Sequence, residues 1–158
     1  MKIAVVSDTH SFDLPQKFLK DLNNVDYIIH AGDICDVKVL KQLEKIKPVV
    51  AVYGNMDEAP IKKILPRRRI VDLGGVLVGV CHGLGKDRDA YINAQDEFKR
   101  DKVQVVVFGH SHQPLNEQKG NVLYFNPGSP NDFVKAPYCS YGMIEIKGGR
   151  ITATIIKV

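Results

Sequence analysis

The stretch VQVVVFGHSH, Val103 to His112, decides the fold. Val105, Val106, Val107 and Phe108 form a continuous β-branched and aromatic run, the composition of a strand buried on both faces of a sheet. Gly109 ends that strand. His110 and His112 follow with one small residue between them, so a turning backbone can aim the two imidazoles at different but adjacent points. That geometry suits a pair of metal ions.

Four other apolar runs stop in the same way. Ile3 to Val6 leads into Asp8-Thr9-His10, Tyr27 to Ile29 into His30-Ala31-Gly32-Asp33, Val49 to Tyr53 into Gly54-Asn55, and Val76 to Val80 into Cys81-His82-Gly83. Each strand delivers a metal-capable side chain at its C-terminal end, where open α/β sheets place their ligand sites. Leu14, Phe18, Leu19 and Leu22 share one helical face after the first strand, with Pro15 in the first turn, and Val37, Leu40, Leu43 and Ile46 do the same after the second. Pro48 breaks that second helix. Alternating strand and helix in this way makes the first three strands parallel.

The middle of the chain reads differently. Pro60 to Arg69 holds two prolines and five basic residues, and Gly74-Gly75 separates Arg69 to Leu73 from Val76 to Cys81 as a hairpin turn. Residues 87–100 read as a polar helix with Tyr91, Ala94 and Phe98 on one side. Beyond His112 the chain is β-rich, at Val122 to Phe125 and at Tyr141 to Ile146 and Ile151 to Ile156, the last two joined across Gly148-Gly149.

A length of 158 residues, 44% of them hydrophobic, predicts one domain over residues 1–158, able to bury roughly 70% of its unfolded surface. A net charge of +4 and a pI near 8.9 fall short of a nucleic-acid signature. No leader pattern opens the chain, and no apolar run approaches the ~18 residues needed to span a bilayer. A soluble, cytoplasmic protein with no membrane partner is the expectation. Cys35, Cys81 and Cys139 are odd in number and lack CxxC spacing, so they read as reduced thiols.

The candidate ligands are Asp8, His10, Asp33, Asn55, His82, His110 and His112. Mixed carboxylate, imidazole and amide donors suit manganese, iron, nickel or zinc better than calcium or magnesium, which prefer all-oxygen shells. Any one of them alone reads more simply as a cap or a satisfied polar group. Seven at strand ends, in a chain with only five histidines, reverse that reading.

With these residues in view, the chain resembles the calcineurin-like metallophosphoesterases. The resemblance rests on Asp8-x-His10, Gly32-Asp33, Gly54-Asn55, His82-Gly83 and Gly109-His110-Ser111-His112, and spans residues 1–129 in order. Gly54-Asn55-Met56-Asp57, Asn126-Pro127-Gly128-Ser129 and the short length make it most similar to the small archaeal and bacterial phosphodiesterases of that superfamily. The resemblance implies an α/β/β/α sandwich of two mixed β-sheets flanked by helices. It also implies two divalent transition metals, manganese first, with nickel, iron or zinc as alternatives. Asp8, His10 and His112 would hold one ion, Asn55, His82 and His110 the other, and Asp33 would bridge cations ~3.5 to 4 Å apart. A hydroxide between the ions is the expected nucleophile toward a small phosphodiester.

Neighbouring residues have competing readings. His30 is structural or touches substrate, and Asp57 is a cap or an acceptor standing behind the metal ligands rather than a base. Asn126 to Ser129 is a Pro-Gly turn that the resemblance brings toward the site. Arg67, Arg68 and Arg69 are a solvated edge or a substrate dock. Many relatives carry a histidine after the Asn ligand, thought to protonate the leaving group. Here that residue is Met56, which has no proton to give. Two other functions stay open: a noncatalytic scaffold, as in the retromer subunit of this fold, and a nuclease, which the modest charge disfavours. Homo-oligomerisation is left open.

Overall fold

The protein is described by a computed structural model covering residues 1–11, 13–86 and 89–158. Strands β1 (Lys2–Val6), β2 (Tyr27–His30) and β3 (Val49–Ala51) lie side by side and parallel. The connections are α1 (Gln16–Asp21), which continues as a 3-10 turn over Leu22–Asn24, and α2 (Val37–Glu44). Pro15 stands just ahead of α1, and the Asp36 side chain caps α2 by accepting the Lys38 N–H at 2.8 Å. A short helix, α3 (Ala59–Ile64), precedes the antiparallel hairpin of β4 (Arg68–Leu73) and β5 (Val76–Cys81). Gly74 and Gly75 both take positive φ, 65° and 82°, as a two-residue hairpin turn of the right twist requires.

Helix α4 (Ala90–Phe98) leads to β6 (Val105–Val107), followed by β7 (Leu115–Lys119), β8 (Val122–Asn126), β9 (Ser140–Lys147) and β10 (Arg150–Lys157). Of the helix expected over residues 87–100, positions 87 and 88 lie outside the described residues. Two five-stranded sheets result, in the orders β10-β9-β1-β2-β3 and β4-β5-β6-β8-β7, each with parallel and antiparallel pairs.

Strand alternation explains why the sheets stack. Ile3 and Val5 of β1 point into one core with Val105 and Val107 of β6, Val78 and Val80 of β5, and Phe125 of β8. Ala4 and Val6 point the other way, onto Phe18, Leu22, Leu40, Leu43 and Ile61 of the helical layer. On the second sheet, Val106 and Phe108 meet Ala90, Ala94 and Phe98 of α4. Three apolar layers between helix, sheet, sheet and helix make the α/β/β/α sandwich, with inner strands buried on both faces as the valine runs require.

The arginine cluster belongs to the sheet edge. Arg68, on the edge strand β4, pairs with Asp101 at 2.6 Å and lies over the Phe98 ring at 4.6 Å, while Arg67 reaches Glu97 at 2.5 Å. These contacts fasten α4 and the turn after it to the sheet and leave the edge solvated. Cys35, Cys81 and Cys139 are all free thiols. Among the described residues, no helix is long and apolar enough to cross a membrane.

Candidate metal centre

The C-terminal ends of β1, β2, β3, β5 and β6 meet at one end of the sandwich, and the loops there are tightly bent. Asp8, His10, Asp33, His110 and His112 all have positive φ, between 48° and 69°. A left-handed backbone is costly for residues with a Cβ, and such residues gather at functional sites where surrounding contacts hold them. The bend explains how residues two apart diverge: His110 joins one side-chain group and His112 another. Asp8, His10 and His112 each bring a ligand atom within 4.8 Å of the others, and Asp33, His82 and His110 do the same.

The groups abut. Asp8 Oδ1 lies 3.4 Å from His112 Nε2 in its own group and 3.8 Å from His82 Nε2 in the other. His82 Nε2 is also 3.2 Å from Asp33 Oδ2, and His10 Nε2 is 3.2 Å from His112 Nε2. Glycines let the loops close to this distance: a Cβ at Gly109 would strike Ser7 Oγ, and one at Gly54 would strike Asp33 Oδ1. Asn55 lies exposed on the rim beyond Gly54, and among the described residues no hydrogen bond engages its side-chain amide.

Three of the four candidate histidines have one ring nitrogen committed elsewhere. His82 Nδ1–H donates to the Ala31 carbonyl at 2.7 Å, His110 Nε2–H to the Gly85 carbonyl at 2.8 Å, and His112 Nδ1 faces the Asp132 carboxylate. These partners choose the tautomer in which the other ring nitrogen carries the lone pair that a cation would take. For His82 that lone pair would face two carboxylates, which is repulsive unless positive charge lies between them. The buried atoms Asp8 Oδ1 and His82 Nε2 indeed have no hydrogen-bond partner. The donor set therefore fits divalent cations.

Protonation answers to the same field. Burial alone would lower the His82 pKa, but the close Asp33 carboxylate and the charge of Asp8 outweigh it and raise the value to about 9. His112 is raised for the same reason, burial being outweighed by Asp8 and Asp132. Burial pushes the Asp8 carboxyl up, yet His112 and His82 hold it down at about 2. Protons on these rings stand where cations would, so the two compete.

The surrounding residues brace the loops. Asp57, 2% exposed, accepts from Asp33 N at 3.0 Å, Gly54 N at 2.7 Å and Cys35 N at 2.6 Å, tying the loop after β2 to the loop after β3. His30 is fully buried: its Nδ1 accepts from Gly32 N at 3.3 Å, which puts the proton on Nε2, 3.1 Å from Thr9 Oγ1. Burial lowers its pKa to about 3, the neighbouring charges partly cancelling, so the ring stays neutral and structural.

The Asn126 to Ser129 turn is more than a plain turn. Asn126 Nδ2 donates to the Gly109 carbonyl at 3.0 Å and to Ser111 Oγ at 3.1 Å, and Ser129 Oγ donates to the Asp8 carbonyl at 2.9 Å. Asp132 was not singled out from sequence. It follows this turn without a spacing tied to any ligand motif, and its role emerges only when the turn folds back on His112.

Comparison with known proteins agrees with this geometry. Residues 1–149 match the family model described as the calcineurin-like phosphoesterase superfamily domain. A probable metallophosphoesterase of Methanocaldococcus jannaschii is 38% identical over 135 residues, 82% of this chain and 68% of that protein. A phosphodiesterase of the same organism is 30% identical over 144 residues, 81% of this chain and 83% of that one. The crystal structure of Chaetomium thermophilum Vps29 superposes with a TM-score of 0.79 over 100% of this chain and 97% of that chain, at 21% identity, and so shares the fold.

Proposed function

As the chain belongs to the calcineurin-like phosphoesterase superfamily, we propose that residues 1–158 act as one metal-dependent phosphodiesterase domain that hydrolyses small phosphodiesters. Asp8, His10 and His112 hold one divalent cation, Asn55, His82 and His110 the other, and Asp33 is shared, with manganese as the first candidate. The observation that carries this reading is the buried pair Asp8 Oδ1 and His82 Nε2, which are unpartnered and flanked by histidines whose opposite nitrogens are already committed.

Two cations held there would supply a water nucleophile at neutral pH and neutralise charge developing on the nonbridging phosphoryl oxygens. The chain's own side chains set the geometry and the charge. Carbonyl and carboxylate acceptors fix the imidazole tautomers, and the carboxylates keep two cations from repelling one another apart. Neither Met56 nor His30 is placed to protonate the leaving oxygen. Met56 contributes only its backbone N–H, 2.8 Å from Asp33 Oδ1, and His30 is sealed in the core. Without a proton from either, esters of acidic alcohols, which depart readily as anions, are favoured.

The scaffold reading draws support from the Vps29 fold, but at 21% identity that likeness speaks for the fold alone. The full set of four candidate ligand histidines, His10, His82, His110 and His112, favours catalysis. A turnover screen of the manganese-loaded protein against phosphomonoesters, cyclic nucleotides and diesters tests the proposal. Metal-dependent diester hydrolysis is expected; no turnover of any ester would favour the scaffold instead.

A further inference from the structure

Beside the His10 and His112 group lies a cavity of about 700 Å³, within the size range of small-molecule sites, lined also by Asp13, Asp132, Phe133, Val134 and Lys135. Phe133 and Val134 are 86% and 92% exposed, the two most exposed large apolar residues described. Neighbouring apolar side chains held in water beside a candidate centre call for an occupant.

Their backbone is anchored. Asp132 Oδ1 accepts from Val134 N at 2.8 Å and Lys135 N at 3.0 Å, while its Oδ2 meets His112 Nδ1. Gln113 Nε2 holds the Lys135 carbonyl at 2.9 Å, and Ser129 Oγ accepts from Asp132 N at 3.2 Å. One carboxylate thus indexes the apolar wall to a candidate ligand, so a group placed against the wall stands at a set position relative to the centre. Outside the histidines, the charged lining is two carboxylates and one lysine, which does not favour a second anionic group.

We propose that this wall is the specificity determinant of the site: it seats an uncharged aromatic ring carried by the phosphoester, stacked on Phe133 and flanked by Val134, while the phosphoryl group lies at the histidines. The inference rests on the phosphoesterase reading and adds the class of ester group to it. Ring contact of this kind supports about a tenfold preference for an aromatic over a methyl substituent.

The test uses phenylphosphonate and methylphosphonate, whose phosphorus–carbon bonds resist hydrolysis, titrated calorimetrically into the manganese-loaded protein. Phenylphosphonate is expected to bind about tenfold tighter, and the ratio is expected to fall to about twofold or less in Phe133→Ala/Val134→Ser. Both positions are solvent-exposed, so the fold tolerates the change. Ile92→Ala, which truncates an exposed apolar residue of α4 outside the cavity, should keep the full ratio. Equal binding of the two probes, failure of both to bind, or a ratio that survives the double substitution would overturn the inference. Phenyl preference without turnover of any diester would uphold the wall and sink the phosphodiesterase reading. Diester turnover without phenyl preference would do the reverse.

Discussion

Asp132→Asn isolates one ligand's orientation without removing the ligand. The Asp132 carboxylate serves three donors, His112 Nδ1–H through Oδ2 and the amides of Val134 and Lys135 through Oδ1, at 2.8 and 3.0 Å. Asparagine offers one oxygen in place of two. If that oxygen keeps the two amides, the NH2 faces His112 and forces the tautomer with the proton on Nε2, the nitrogen turned toward Asp8 and His10. If the oxygen keeps His112, the NH2 is set against two N–H donors and the turn opens. The His112 and Asp132 side chains are only 7% and 14% exposed, so water does little to repair either arrangement. Losing such a partner costs about 10- to 100-fold in metal affinity, or roughly 1.4 to 2.7 kcal/mol. Manganese titration of the chelated protein should show one of two binding steps weakened by that factor and the other unchanged. Two steps weakened equally, or neither, would refute the orienting role of Asp132.

Asp33→Ala should lower occupancy of both metal positions together because it removes the shared carboxylate, whereas His112→Ala should empty chiefly one; metal content of the two variants decides. His30 contributes to acid sensitivity: it stays neutral in the folded protein down to about pH 3, whereas the unfolded chain takes up that proton near 6.5. Between those values the unfolded state binds more protons, so the contribution is complete above 6.5 and is lost as pH falls, by up to about 1.4 kcal/mol per unit. Denaturant unfolding in chelator from pH 7 to pH 4 should therefore show a shallower loss in His30→Gln than in the native chain. Across aryl and alkyl diesters of similar size, kcat/KM should depend steeply on leaving-group pKa, and equally so in His30→Gln; a shallow dependence would reveal an acid other than Met56 or His30.

Much of this was legible in the sequence because the informative elements are buried. The valine runs of β1, β5 and β6 have to satisfy two apolar layers, and the Asp and His residues that follow them, each ordinary alone, form a set that separate caps do not explain. The bends at Asp8-x-His10 and His110-x-His112 likewise follow from polar side chains at the ends of buried strands. Helix α3 was hidden: Ala59–Ile64 buries one side chain, Ile61, and so has no apolar period to read. Strand β7, LNEQK, is polar and almost wholly exposed, and exists because β8 offers it a partner. The braces were at most partly legible, for another reason. Asp57 was legible as an acceptor but its partners were not, and Asp132 was not legible at all: the two act across 22 to 24 and 20 residues of chain on backbone amides and a ring nitrogen, partners that no local pattern specifies.

The central claim, a pair of cations held by these seven residues and required for ester hydrolysis, meets its most direct test in a metal titration of the chelated protein with aryl diester turnover followed in parallel. Two divalent ions per chain should bind, with turnover absent in chelator and appearing only as the second position fills. A single bound ion, or turnover that persists without metal, would contradict it.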